Sequence, residues 1–513
     1  MIVSGSSNTV INTSSARVTS QKSLYQSRMT GVMRWEHRHP IFRYTDTQQS
    51  AACSFHGQYL QTAGALMHKT SETPERRPRV LIVGGGFAGL ACAHNLSGTA
   101  VEITLADRHN YHLFQPLLYQ VATAVLSPAD IAAPIRRVLR NQHNTQVVLA
   151  ELLSVDLNRR LAHFDTTDIA YDYLVLAAGA THSYFGHDDW ANRAPGLKTI
   201  DDALEIRRRV LLAYEAAEWE ADELARRAKL TFVVIGGGPT GVELAGALKE
   251  IAAQSIPPDF RHIDTTTAQV ILVEAGPQLL AAMPGKLGAR AHKDLEQMGV
   301  EMRLNSRVTA ITDNSVWLED TELPAGNIIW AAGVRGAAAA SSLGCELDAQ
   351  GRVKVQPDLS LAQHSEVFVI GDLAHSMDTQ SKQQVPGVAP AAIQMGKHVA
   401  EMIAAEVEKK PASAQRKAFR YHDKGSMATI GRNRAVASVG GQQFGGFFAW
   451  LFWGLVHIIP LIGFRNKLTV IFAWLWSYFS LSKNARLITG QSKMQLKKVL
   501  SDRETSRKGK TNL

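Results

Sequence analysis

The chain runs straight from apolar residues into glycine twice, in the same way each time. Val80-Leu81-Ile82-Val83 enters Gly84-Gly85-Gly86-Phe87-Ala88-Gly89, and a stretch with helical spacing follows. Phe232-Val233-Val234-Ile235 enters Gly236-Gly237-Gly238-Pro239-Thr240-Gly241, again ahead of a helix. After each unit comes a second apolar strand ending in an acid, Asp107 in the first case and Glu274 in the second. The units start about 150 residues apart, so this is a duplication of domains rather than a short repeat.

Each glycine has a physical task. The first (Gly84, Gly236) permits the tight turn, the second (Gly86, Gly238) lets backbone approach a pyrophosphate, and the third (Gly89, Gly241) lets helix and strand pack closely. The helix N-terminus then offers unpaired N–H groups and partial positive charge to phosphate. Asp107 and Glu274 stand where such folds place the acceptor for a ribose hydroxyl. One such motif is weak; two in full strand–turn–helix–strand context imply two dinucleotide sites. Glu274 lies 38 residues after Gly236, against 23 between Gly84 and Asp107, which predicts an inserted loop near Ile256 to Thr267. A carboxylate at that ribose repels a 2′-phosphate, so NADH is expected at the second site.

Two further strands end in small-residue turns, Ala177-Ala178-Gly179 and Ala331-Ala332-Gly333, and a late strand ends in Gly371-Asp372. The expected fold class is α/β: two Rossmann-like dinucleotide-binding domains followed by an apolar, amphipathic helical membrane anchor at the C-terminus. The expected segments are an extension (1–77), a FAD-binding domain in two parts (78–196 and 335–410), an NADH-binding domain (197–334), a membrane-anchoring region (411–489) and a basic tail (490–513).

Together these features resemble the flavoproteins with two dinucleotide-binding domains, which implies non-covalent FAD in the first unit, NADH as substrate in the second, and contact of Asp372 with the flavin side chain. Narrower segments resemble one branch, the type II NADH:quinone oxidoreductases. They are Asn110-Tyr111-His112-Leu113-Phe114-Gln115-Pro116-Leu117-Leu118-Tyr119-Gln120, Gly238-Pro239-Thr240-Gly241-Val242-Glu243, Pro386 to Gln394, and Leu461-Ile462-Gly463-Phe464-Arg465-Asn466. The likeness covers roughly residues 79–489. It implies hydride transfer from NADH to flavin and then reduction of a membrane quinone, with Glu243 and Gln394 as the catalytic residues. It departs from the family at Pro390, where a first glutamine is usual, and this leaves Gln394 as the quinone-side amide.

Cys53, Cys92 and Cys345 are far apart, so neither a disulfide framework nor a neighbouring dithiol is expected. That weighs against disulfide reductases and weakens a sulfide:quinone alternative. The eighteen histidines form no ligand pattern, and no metal is expected. A reductase for a soluble acceptor and a non-enzymatic membrane flavoprotein stay open as other readings.

Phe444 to Phe464 is free of Lys, Arg, Asp and Glu, and twelve aromatics, four of them Trp, fall between Phe444 and Phe479. Aromatics beside Arg465 and Lys467 suit the headgroup boundary, so Phe444 to Leu481 reads as a monotopic anchor on the bilayer surface. Of the net charge of +9, most sits after Lys483, giving the anchor a basic partner for anionic lipid. No nucleic-acid-recognition fold accompanies that tail, and a homodimer is compatible with the reading. Without a spanning bundle or an intramembrane chain of charges, no proton pumping is expected. The expected place is peripheral, on the cytoplasmic face of a bacterial inner membrane. The alternative is the mitochondrial inner membrane, because the first 35 residues hold twelve Ser or Thr, four Lys or Arg and no acid, like a transit peptide.

Overall fold

The computed structural model describes residues 76–408, 416–480 and 485–489. The transit-peptide reading of 1–35 and the basic tail fall outside these residues. In chain order the elements that matter are β1 (Arg79–Val83), α1 (Phe87–Asn95), β2 (Glu102–Asp107), α2 (Leu118–Ala122), β3 (Thr145–Leu149), β4 (Tyr173–Leu176) and α3 (Ile200–Glu218). Then come β5 (Thr231–Ile235), α4 (Pro239–Glu250), β6 (Gln269–Val273), α5 (Gly285–Met298), β7 (Val300–Arg303), β8 (Asn327–Trp330), β9 (Val367–Val369) and α6 (Ala389–Val407). Last are β10 (Ser426–Gly431), β11 (Arg434–Val439), β12 (Gln442–Gly445), α7 (Phe447–Ile458) and α8 (Phe464–Ser480).

Two parallel sheets carry the duplication. The first has the order β9-β4-β1-β2-β3, with Val80 opposite Ile103 on one side and Tyr173 on the other. The second has the order β7-β6-β5-β8, with Phe232 between Val270 and Asn327. Strands buried on both faces read as unbroken apolar runs, and β5 is buried at every position. In each sheet the glycine turn follows the strand at which the order reverses, the switch point where open α/β sheets bind ligands.

The glycines are required by contact. Gly84 and Gly236 have φ of +104° and +113°, and a Cβ would lie 2.3 Å from the Ala177 carbonyl oxygen or 2.6 Å from Ala331 backbone. A Cβ on Gly89 or Gly241 would sit 1.9 or 1.8 Å from the carbonyl oxygen of the first glycine of its own turn. The predicted insertion is present as an irregular passage: α4 runs on through a wide turn at Ile251–Ser255, then short turns at Pro257–Asp259 and Thr265–Thr267.

The region from 411 onward differs from the helical expectation. It holds an antiparallel sheet, β10-β11-β12, before any helix. Asn433, with φ of +62°, makes the tight turn between β10 and β11, and Phe444 belongs to β12 rather than to the apolar helix. Gly246 brings α4 onto this sheet; a Cβ there would lie 1.7 Å from the Ile430 carbonyl oxygen. The 21-residue apolar stretch is thus broken into strand end, α7 and turn. At 1.5 Å per residue, α7 and α8 are about 18 and 25 Å long, short of the ~30 Å a hydrocarbon core demands. Among the described residues no helix is long and apolar enough to cross a membrane.

Candidate active site

The first cleft, beyond the carboxyl end of β1, is lined by the Gly84–Gly86 turn, Asp107, Gly179, Lys198, Gly371 and Asp372. The structure therefore gathers the expected residues of the first dinucleotide site, although they span nearly 300 positions. Nothing lies within 4 Å of where a Cβ on Gly86 would stand, so that glycine leaves an open slot at the start of α1. Gly86 is the N-cap, no side chain caps the helix, and no acid occupies its first turn. The N–H groups and the positive end of the dipole are left for an anion. A pyrophosphate fits this cradle. The 3.9 Å approach of Lys198 Nζ to Asp372 Oδ2 places a cation in the same cleft, a contribution that no local motif marks.

The second turn repeats the arrangement. Gly238 is an uncapped N-cap with open space where its Cβ would be, and α4 also lacks an acid in its first turn. The two acids do more than wait for a ribose. Asp107 Oδ2 accepts from the Gly85 N–H at 2.6 Å, and Glu274 Oε2 accepts from the Gly237 N–H at 2.6 Å, so each carboxylate braces its own glycine turn. Its remaining lone pairs are available to a sugar hydroxyl. Gly333 lies under the Phe185 ring, which a Cβ would meet at 2.7 Å.

Glu243 lies one turn into α4, about 7.5 Å along the axis from Gly238. It lines a second cavity, about 540 Å³, whose other walls are mostly apolar: Tyr119 and Gln120 from α2, Trp453 from α7 and Trp474 from α8. Desolvation pushes the Glu243 carboxyl up to about 8, opposed only by the Thr429 N–H, 3.4 Å from Oε1. Glu243 is therefore mainly a neutral acid at pH 7, able to give a proton. Burial, with the Glu243 charge adding to it, also holds the Tyr119 phenol well above its ordinary range.

Phe447, Leu451, Leu455, Leu475 and Phe479 line this cavity and are themselves exposed. These belong to an exposed apolar face of α7 and α8, on which Phe448, Phe464 and Phe479 are 76%, 77% and 80% exposed. The opposite faces of the same helices are buried at Ala449, Trp453 and Val470. A wall of rings joins the two sites: Phe87 of the first cleft meets Phe114 at 5.8 Å, Phe114 meets His457 at 6.4 Å, and His457 stacks on Trp453 at 4.4 Å.

Gln394 is placed differently from Glu243. Its amide is engaged at both ends by His422, donating to the carbonyl at 3.0 Å and accepting from the N–H at 2.9 Å. It lines neither cavity. The residues that sequence reasoning left out are Tyr119, Gln120, Trp453 and Trp474. The first two stand inside a quoted motif but had no assigned role, and the tryptophans were counted only as membrane aromatics.

Comparison with known proteins agrees with this geometry. Residues 78–396 match the family described as pyridine nucleotide-disulphide oxidoreductase, and 423–480 match the NDH2 C-terminal domain. The type II NADH:quinone oxidoreductase Ndh of Mycobacterium tuberculosis is 45% identical over 437 residues, covering 82% of this chain and 92% of that protein. NdhA of the same organism is 44% identical, covering 81% and 90%. Among solved structures, NDH2 from Plasmodium falciparum in complex with NADH superposes with a TM-score of 0.73 at 19% identity, over 81% of this chain and 100% of that one.

Proposed function

The chain belongs to the type II NADH:quinone oxidoreductases, flavoenzymes that oxidise NADH and reduce a quinone without pumping protons, and from that premise we propose how its residues divide the work. The overall reaction is NADH + H⁺ + quinone → NAD⁺ + quinol. When bound, FAD supplies acceptance of a hydride from NADH and delivery of two electrons to the quinone. Gly84, Gly86 and Gly89 with the N-terminus of α1 hold its pyrophosphate, Asp107 its ribose, and Gly179, Gly371 and Asp372 the flavin end. Gly236, Gly238, Gly241, Glu274 and Gly333 do the same for NADH. The FAD lobe is 78–196 with 335–410, the NADH lobe 197–334, and the anchor 411–489.

The quinone site is the cavity that holds Glu243. The observation that carries this reading is a raised, proton-bearing carboxyl inside an apolar chamber, several of whose lining residues belong to an exposed apolar face. Glu243 holds the proton that completes the quinol and is used as a general acid. It stands on the helix whose first residues hold NADH, so one element serves both substrates. Gln394 is a positioning residue that ties α6 to the strand entry at His422.

The exposed face of α7 and α8 docks on lipid. At about 2 kcal/mol for each large apolar side chain taken from water, Phe448, Phe464, Phe472, Trp476 and Phe479 suffice for stable but reversible attachment. We place the enzyme on the cytoplasmic face of a bacterial inner membrane, where NADH is available; the 45% and 44% identity to bacterial relatives favours the bacterial setting. The mitochondrial alternative rests on residues 1–35. Quinone turnover that continues undiminished when the cavity is filled by Gly454→Phe would overturn the site; the expected result is loss of quinone turnover with ferricyanide reduction retained.

A further inference from the structure

We propose that the Trp453 indole N–H and the Tyr119 hydroxyl are the hydrogen-bond donors that hold the carbonyl oxygens of the acceptor quinone; the assignment rests on the reading of the Glu243 cavity as the quinone site.

Trp453 is 3% exposed and is one of the residues that line the cavity. Its Nε1 is buried, with under 1 Å² of accessible surface, and has no acceptor among the described residues, so a carbonyl oxygen reaches it only with a shift of the groups that cover it. A buried donor left unmet is rare, because it forfeits its bond to water and gains nothing. Phenylalanine would avoid that penalty with a smaller ring, so the indole carries a polar group that its packing does not use. The ring is also fixed in place. It stacks on His457 at 4.4 Å and leans on Trp474 at 5.5 Å. His457 Nδ1 lies 2.7 Å from the Trp453 carbonyl oxygen, which only accepts, so the proton on this imidazole is at Nδ1.

Tyr119 becomes a donor by a chain of elimination. Trp474 Nε1 can only donate, and it donates to Gln120 Oε1 at 2.7 Å. That fixes the Gln120 amide, whose Nε2 then donates to Tyr119 Oη at 2.9 Å. With its oxygen already accepting, the Tyr119 hydroxyl has its hydrogen to give, and no described residue is bonded to receive it. Gln120 is thus a positioning residue, and it ties α8 of the lipid-facing hairpin to α2 beside Glu243. A quinone ring presents acceptors only, which suits a pocket with two unmet donors. Both donors depend on α7 and α8 being seated, one directly and one through Trp474.

The test uses the full-length, FAD-loaded enzyme with decylubiquinone and with menadione. Each variant is read as the ratio of quinone turnover to ferricyanide turnover, which cancels any loss of flavin or of folded protein. Trp453→Phe and Tyr119→Phe are each expected to raise the quinone KM by about tenfold, the worth of one hydrogen bond. Gln120→Leu separates positioning from packing. It keeps the bulk, removes the amide that sets the Tyr119 hydroxyl, and should raise the quinone KM towards that of Tyr119→Phe, with no further loss in the double variant. In the oxidised enzyme, the downshift of the bound quinone's infrared carbonyl band should shrink in both donor variants. Wild-type quinone KM and an unmoved carbonyl band in Trp453→Phe and Tyr119→Phe overturn the donor assignment. Quinone turnover unaffected by Gly454→Phe overturns the cavity reading instead.

Discussion

Replacing Glu243 by Gln removes a proton that the structure holds under unusual conditions. A carboxyl with a pKa of about 8 is about nine-tenths protonated at pH 7 and about one-tenth protonated at pH 9. Quinone turnover by the wild-type enzyme should therefore be level up to about pH 8 and fall roughly tenfold per unit above it, if Glu243 is the acid. Ferricyanide takes electrons without protons, so NADH:ferricyanide turnover should show no such break. Glu243→Gln should lower kcat for quinone by about a hundredfold, within the usual worth of a general acid, and abolish the break near 8. Stability gives a second readout with a definite sign. The folded pKa lies above the unfolded one, so the folded state binds more protons between about 4.5 and 8, and wild-type stability falls as pH rises through that window. Gln carries no such cost. The variant's melting temperature relative to wild type should climb from pH 5 to pH 9 by the equivalent of at most ~5 kcal/mol, less where water enters the cavity. Parallel melting profiles, or a Glu243→Gln enzyme that keeps both the quinone rate and the break, would refute the reasoning.

Other outcomes follow from contacts already described. Gly86→Leu should fill the open pyrophosphate slot and yield folded protein without flavin, read by its absorbance and circular dichroism; Gly89→Ala, aimed at backbone 1.9 Å away, should instead lower the yield of folded protein. Gly238→Leu should keep bound FAD yet raise the NADH KM at least tenfold in ferricyanide assays, because its open slot serves the second nucleotide. Changing Phe448, Phe472 and Phe479 together to Glu should release the protein from anionic vesicles in a flotation assay, with ferricyanide turnover retained.

How much the sequence disclosed depended on distance along the chain. A strand–turn–helix whose turn excludes a side chain at its first and last glycine is a local demand, so Gly84 to Gly89 and Gly236 to Gly241 could be placed at once. The acids followed from the same local unit, although their bonds to Gly85 and Gly237 did not. The quinone-side chamber is different. Gln120 and Trp474 are 354 positions apart, and nothing periodic links them. Trp453 looked like one of many membrane aromatics until the fold turned it inward. The sheet of β10, β11 and β12 was missed because its last strand ends inside an apolar run that reads as helix. Gln394 stood where a motif pointed, but its amide bonds to His422 are visible only once residues 28 positions apart are seen together.

The central claim is that one chain holds a flavin between an NADH site and a quinone chamber. Anaerobic absorbance of the purified, lipid-reconstituted enzyme tests it directly. NADH should bleach the visible absorption band of the oxidised flavin, and decylubiquinone added next should restore it within the turnover time. A protein that lacks the band, or whose bleached band does not return with any quinone, would contradict the account.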